Sequence, residues 1–527
     1  MISDTRHPCD EGVIKSQTDT KECNASIGRW VLAAAILGSG ITFIDGTVVN
    51  VALPVLQREL DAGVGGAQWI VESYALMLAA LILVGGALGD RLGRRRVFMT
   101  GVALFGAASV WCGLSSGLNG LVVARAVQGI GAALLVPGSL ALISANFAKE
   151  RRGRAVGTWS GITAIAAGFG PVLGGWIVSN FSWRWIFLIN VPLAIAVLLI
   201  SWLRVPESRD DTTVGRVDWL GAILATVGLG GIVFGLIESN SGNFTRPGVM
   251  VSFLVGIVAG IGFVVAEMRQ EHPMMPFELF RSRTFAGANL LTLFLYAALG
   301  GIMFFLPFDL IQVQGYSPPA AGAALVPFVV TMFLLSRWAG GLVDRYGSKL
   351  PLIVGPMIAA AGFALFAYAG VGTGSYWTTF FPPVIVMSVG MSIAVAPLTT
   401  TVMGAVDERH AGIASGINNA VSRTASLIAV AVFGVVMLLA FAGSLDRRLT
   451  AADVSAEIKT QVLAQTGDLV NIKVPENVSS DDRSAIMSAV KESFVSGFRV
   501  IALIAASLAV VSAIASWLLI EGKLNKQ

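Results

Sequence analysis

A chain of 527 residues that is 55% hydrophobic and 13% charged, with a mean hydropathy of +0.76, is too apolar for a soluble globule. The net charge of +4 is scattered through short loops, which excludes a nucleic-acid-binding patch. Cys9, Cys23 and Cys112 offer no disulfide framework, and His7, His272 and His410 lie outside the apolar runs, so neither a metal nor a cofactor is expected.

The expected architecture is all-α and polytopic. A polar tail, residues 1–29, precedes a first span too long for a cleavable signal. Apolar runs then fall near 30–53, 68–88, 97–117, 118–145, 155–178, 185–203, 217–238, 247–267, 284–308, 319–340, 350–371, 377–403, 413–441 and 497–520. Lysines and arginines in the loops after even-numbered spans outnumber those in the short loops after odd-numbered spans by seventeen to three. That bias predicts both termini in the cytoplasm. A polar segment, 442–496, is expected on the outer side, either capping a vestibule or decorating the surface; within it Ser480-Asp481-Asp482, with Ile486, Val490 and Phe494, predicts a capped amphipathic helix.

The chain repeats. Gly86-Ala87-Leu88-Gly89-Asp90-Arg91-Leu92-Gly93-Arg94-Arg95-Arg96 returns in degenerate form as Gly340-Gly341-Leu342-Val343-Asp344-Arg345-Tyr346-Gly347-Ser348-Lys349. Asp90 and Asp344 are 254 residues apart, whereas six spans need only about 180–200. The excess predicts two inserted helices within 204–283, between six-helix bundles at 30–203 and 284–520, with a short tail at 521–527.

Charged residues inside apolar runs carry the functional expectations. Asp45 lies about 13 Å below the outer interface and Arg125 about 10 Å, so adjacent helices would let them pair, as a proton carrier or as a static structural pair. Glu72, at about 6 Å, reads as a proton relay, a contact for cationic substrate or a solvated interfacial charge. Arg337 and Arg423 read as structural, each near a cytoplasmic end or able to snorkel. In the fifth span Gly161, Gly170, Pro171, Gly174 and Gly175 predict a pliable, close-packed helix. In the loop, Gly86 and Gly93 permit a tight turn, while Asp90, Arg91 and Arg94, with Asp344 and Arg345 in the second copy, suggest a conformational latch.

Together these residues resemble the major facilitator superfamily, and within it the fourteen-span drug:proton antiporters. The 86–96 loop is similar to the superfamily's loop signature, and Leu121 to Gly131, containing Arg125 and Gln128, to its fourth-span proton-transfer motif. Gly161 with Gly170-Pro171 and Gly174-Gly175 resembles the fifth-span motif of antiporters, and Asp45 to Pro54 a first-span signature of drug exporters. Trp183 to Pro192 also looks typical of the family. The resemblance implies alternating access about a central cavity and export of small amphipathic or cationic compounds against inflowing protons, by a monomer in the inner membrane. Trp69, Tyr74, Phe105, Trp159, Phe304 and Phe305 offer aromatic walls for the cavity, with Asn50 and Gln128 as polar contacts. The main competing expectation is a proton-coupled transporter of a specific metabolite with the same fold. An enzyme is not expected, because no histidine or cysteine stands at ligand spacing from carboxylates.

Overall fold

The computed structural model describes residues 25–147, 149–209, 218–239, 245–270, 273–372, 375–407, 411–452, 454–474 and 478–521. Expectations for residues 1–24 and 522–527, and for the side chains of Arg337 and Asp344, lie outside the described residues. Fourteen helices are long and apolar enough to cross a membrane. The main helix of each span is, in chain order, α1 (Ala25–Glu59), α2 (Val64–Leu92), α3 (Arg94–Leu114), α4 (Leu118–Asn146), α5 (Lys149–Asn180), α6 (Asn190–Arg204), α7 (Trp219–Glu238) and α8 (Pro247–Arg269). Then follow α9 (Arg283–Phe308), α10 (Val326–Gly340), α11 (Lys349–Phe366), α12 (Phe381–Gly404), α13 (Ala411–Ala451) and α14 (Ser480–Leu519).

The first six pack as one bundle, with α4 against α2 and α3, α1 against α5, and α6 against α1 and α3. The last six repeat the scheme, with α12 against α10 and α11, and α9 against α13 and α14. The bundles meet where α2 lies along α13, and where α5 meets α10 and the short helix Pro318–Ala323. Helices α7 and α8 form a hairpin pressed together at Gly231 and Gly256, where a Cβ would approach the opposing backbone to 2.7–2.8 Å. Among the described residues, α7 makes the main packing against the bundles. Its Val233 and Ile237 pack with Leu76 of α2 and with Leu427 and Ala431 of α13, so the hairpin lies along the seam between them. Most of α8 is unburied and apolar, as lipid contact requires.

Three boundaries differ from expectation. The predicted amphipathic helix and the last span form one helix of 40 residues, because Ile486, Val490, Phe494 and Phe498 continue as a single buried stripe into Ile501 and Ala505. Helix α13 likewise runs to Ala451, and Arg448–Glu492 and Lys459–Asp446 ion pairs brace the projecting ends. Span nine does not stop at residue 308 but widens into a π-helical turn, Asp309–Val313, after Pro307. The connection from α13 to α14, with short helices Ala456–Leu463 and Thr466–Asn471, crosses to the first bundle: Lys473 Nζ is 3.2 Å from Asp61 Oδ1, and a Cβ on Gly63 would sit 3.2 Å from the Gly467 carbonyl. This segment covers the turn between α1 and α2, on the face opposite the Gly86–Arg96 loop.

Candidate functional site

Among the described residues, a densely bonded polar cluster lies inside the first bundle. Asp45 on α1 and Arg125 on α4 are 0% and 1% exposed, and Arg125 Nη1 is 2.5 Å from Asp45 Oδ2. Arg125 Nη1 also donates to Gln128 Oε1 at 2.6 Å, and its Nε donates to the Ile70 carbonyl at 3.0 Å. The other carboxylate oxygen, Oδ1, accepts from Gln128 Nε2 at 3.0 Å and from Asn190 Nδ2 at 2.9 Å. Ser109 on α3 accepts from the same two amides, at 2.9 and 3.4 Å. Tyr74 lays its ring 4.3 Å from the guanidinium carbon, a cation–π contact.

Equal depth made the pair possible; helix packing makes it real. The α1–α4 and α2–α4 contacts turn residues 45, 74 and 125 toward one another. Residues 125 and 128 share one face of α4 by their i, i+3 spacing. Sequence reasoning missed Ser109 and Asn190, although an asparagine at the head of an apolar span was a usable signal. A proton placed on Asp45 Oδ2 would cancel the carboxylate charge and break its bond to Arg125. The guanidinium would keep Ile70 O, Gln128 Oε1 and the Tyr74 ring. The cluster can therefore hold a cation both with and without its ion pair, which a static pair does not need.

Glu72 is 1% exposed, with no hydrogen-bond partner for either oxygen among the described residues. It is thus not a solvated interfacial charge. Gln68, one turn before it, donates to the Val430 carbonyl of α13, and Leu76, one turn after, joins the α7–α13 cluster, so Glu72 faces the seam between bundles. A third residue that sequence reasoning missed is Asp309, fully buried in the π-helical turn. Its Oδ1 has no partner, and its Oδ2 lies 3.4 Å from Gln314 Nε2. Its place at the end of a span disguised it as a loop residue.

The glycines of α5 mark close approaches. A Cβ on Gly170 would lie 1.9 Å from Thr47 Oγ1, and on Gly174 within 3.0 Å of the Val48 backbone, so they seat α5 against α1 just beyond Asp45. Gly175 meets the Pro318 carbonyl across the bundle interface, and the Pro171 carbonyl meets Gly322. Gly161 is less confined, with Phe333 at 3.6 Å.

In the Gly86–Arg96 loop, Gly93 takes φ +110° between α2 and α3. Asp90 pairs with Arg94 at 2.8 Å. Glu207, just beyond α6, accepts from the backbone N–H groups of Arg95 at 2.9 Å and Arg96 at 3.2 Å, capping α3. All these partners belong to the first bundle. Arg91 and Arg345 are exposed, and no cross-bundle ion pair forms at this face among the described residues. Gly86 packs on Pro137. The second copy repeats the plan, with Gly347 at φ +72° and Ser348 Oγ donating to the Glu521 carbonyl, just beyond α14.

The expected cavity residues do not converge. Tyr74 and Gln128 join the Asp45 cluster, and Asn50 is half-buried on α1. Trp69 turns away to Phe234 of α7, Trp159 Nε1 donates to Ser39 Oγ, and Phe304 and Phe305 pack in the core of the second bundle. Phe105 is likewise buried, against Tyr74. Arg423 is the larger correction. Instead of reaching a face, it sits partway along α13, half-buried, with Nε occluded and unpartnered and with Tyr74 and Tyr296 of α9 as its electrostatic neighbours.

The profile of the Major Facilitator Superfamily matches residues 35–430. The multidrug resistance protein Stp of Mycobacterium tuberculosis is 33% identical over 504 residues, covering 92% of this chain and 91% of that protein. The tetracenomycin C resistance and export protein of Streptomyces glaucescens is 31% identical, over 77% of this chain and 75% of its own. Among solved structures, an inward-facing bacterial homologue of the human lysosomal transporter Spinster superposes with a TM-score of 0.66 at 19% identity, covering 94% of this chain and 98% of that one. With a two-bundle fold, a matching profile and relatives aligned over most of their length, the chain belongs to the Major Facilitator Superfamily.

Proposed function

We propose that this protein is a proton-coupled antiporter that exports small amphipathic or cationic compounds across the cytoplasmic membrane by alternating access. The observation that carries the reading is the fully buried Asp45–Arg125 pair, whose carboxylate can lose its charge while the guanidinium keeps other acceptors. Export, rather than uptake, is supported by the Gly170-Pro171 helix and by relatives named for drug resistance and export.

In this reading the Gly86–Arg96 face is cytoplasmic, as the loop arginines favour, and both termini lie there. Residues 30–203 and 284–520 are the two moving bodies, and 204–283 supplies the inserted hairpin. The segment crossing to Asp61 and Gly63 belongs to the outer closure, and the Asp90–Arg94 loops re-engage across the bundles when the cytoplasmic side shuts. Each proton entering down 100 mV contributes about 2.3 kcal/mol. The protein works as a monomer, since one chain supplies every residue of the Asp45 cluster.

The test is purified protein in proteoliposomes with an imposed pH gradient and a panel of amphipathic compounds, with Asp45→Asn alongside. Dissipation of the gradient by a compound in wild type, absent in the variant, is the expected result. A polar metabolite moving with protons in the same direction, and no amphipathic compound moving against them, refutes it.

A further inference from the structure

We infer that the exported compounds are amphipathic organic acids, and that Arg423 is the residue that receives the acidic group. The inference rests on the export reading above and specifies its substrate.

Arg423 is twelve residues into α13, about 18 Å along the helix axis, too deep for its side chain to reach either face. A guanidinium at that depth needs a counter-charge or a strong acceptor. Its Nε is buried without a hydrogen bond, and no ion pair forms to it among the described residues. The ionisable groups it senses are two phenols, Tyr74 from the first bundle and Tyr296 from the second, and no carboxylate. The polar groups around it are committed elsewhere. Asp45 spends both oxygens on Arg125, Gln128 and Asn190. Asn418, one turn earlier on α13, donates to Asn289 Oδ1 at 3.1 Å and Thr292 Oγ1 at 2.7 Å, and Ser426 Oγ, one turn later, donates to the Tyr296 carbonyl. Glu72 also faces α13 but does not pair with Arg423.

Thus the Asp45–Arg125 charges cancel each other, and Arg423 is left inside the protein as a cation with no ion pair among the described residues. Its neighbours are aromatic. Tyr74 connects the two cations, covering Arg125 with its ring while lying within reach of Arg423. A planar guanidinium with an unpaired N–H and two tyrosines as electrostatic neighbours fits an aromatic compound bearing a carboxylate, a sulfonate or an acidic phenol or enol oxygen. A lipophilic cation would meet repulsion there. Movement of the acid would be reported to the proton site through Tyr74, because that ring covers Arg125 and its phenol is also an electrostatic neighbour of Arg423.

The experiment measures tryptophan quenching of the purified full-length protein by fluorescein, an aromatic acid, and by ethidium, an aromatic cation, in wild type, Arg423→Gln and Arg423→Lys. The expected result is tighter binding of fluorescein than ethidium to wild type, a loss of at least tenfold in fluorescein affinity in R423Q with ethidium unchanged or improved, and partial recovery in R423K. The acid assignment is overturned if fluorescein does not bind wild type, or if R423Q weakens both dyes alike. It is also overturned if Glu72→Gln restores R423Q, which would make Arg423 a charge partner of Glu72. Proteoliposome transport separates this from the broader reading. Ethidium exchanging for protons in both wild type and R423Q sinks the acid assignment and leaves export standing. Fluorescein bound through Arg423 but moving no protons sinks the coupling and leaves the site.

Discussion

Replacing Asp45 with asparagine tests the buried pair most directly, and its cost can be worked from the contacts. Asp45 Oδ1 accepts two amide N–H groups and Oδ2 accepts Arg125 Nη1. An asparagine has one acceptor oxygen, so either its NH2 opposes the Gln128 and Asn190 donors or it opposes Arg125. At least one charge-assisted bond is lost, about 1.5–3 kcal/mol. The guanidinium also keeps a buried charge without a counterion, which usually brings the total to about 3–5 kcal/mol. Because Ile70 O, Gln128 Oε1 and the Tyr74 ring remain, the lower end, about 3 kcal/mol, is expected. Arg125→Leu leaves Oδ2 empty but Oδ1 doubly bonded, a similar cost. The double variant removes both charges and should cost about 3 kcal/mol less than the two singles together. Unfolding of the three variants in mixed micelles measures this coupling. If the singles add to within about 0.5 kcal/mol, the pair is not an energetic unit and the argument fails. In proteoliposomes, D45N should lose pH-gradient-driven transport yet retain downhill exchange of bound compound. Uphill transport by D45N at the wild-type rate refutes Asp45 as the coupling group.

Three further outcomes follow from other contacts. Gly93→Ala forces a Cβ into φ +110° and toward the Glu207 carboxylate at 2.8 Å, so it should cost about 1–3 kcal/mol, read as a lower unfolding midpoint; wild-type stability would show that the turn relaxes freely. Asp309→Asn keeps the shape of an unpaired buried carboxyl while removing its ability to ionise, so stability should hold or rise, and a large loss would reveal a partner for its charge. Burial, and then the Asp61 charge, push the Asp468 carboxyl above its usual range against the pull of Lys473. The folded segment therefore binds that proton more tightly than the unfolded one. Its stabilising contribution is full below the ordinary aspartate pKa and is lost as pH rises through the raised one. Proteolysis of segment 452–479 should accelerate with pH across that window in wild type and be flat in Asp468→Asn.

Hydropathy, loop charge and the repeated Gly-Asp-Arg-Gly pattern are one-dimensional signals, and they were enough for fourteen helices and two bundles. Depth was equally legible: residues 45 and 125 were placed level by counting, and their side chains meet at 2.5 Å. What counting does not supply is azimuth. Trp69 and Tyr74 lie five residues apart on α2, yet one stacks on the inserted hairpin and the other on Arg125. Arg423 was misread for the same reason, since a charge at a given depth can point toward lipid, a face or the interior. Glu207 was invisible because its partners are backbone N–H groups 111 and 112 residues away, which no motif in its neighbourhood announces.

The hairpin of α7 and α8 makes the two sides of the molecule unequal for a compound dissolved in the bilayer. A two-bundle transporter has two lateral seams, here α2 with α13 and α5 with α10. The first is covered by the α7 residues Val233 and Ile237, whereas along the second the exposed apolar side chains include Phe169, Val330, Phe333 and Leu334. A compound that enters sideways from the hydrocarbon is therefore expected to use the α5–α10 seam, and so to pass the glycine-rich helix before it meets Arg125 or Arg423.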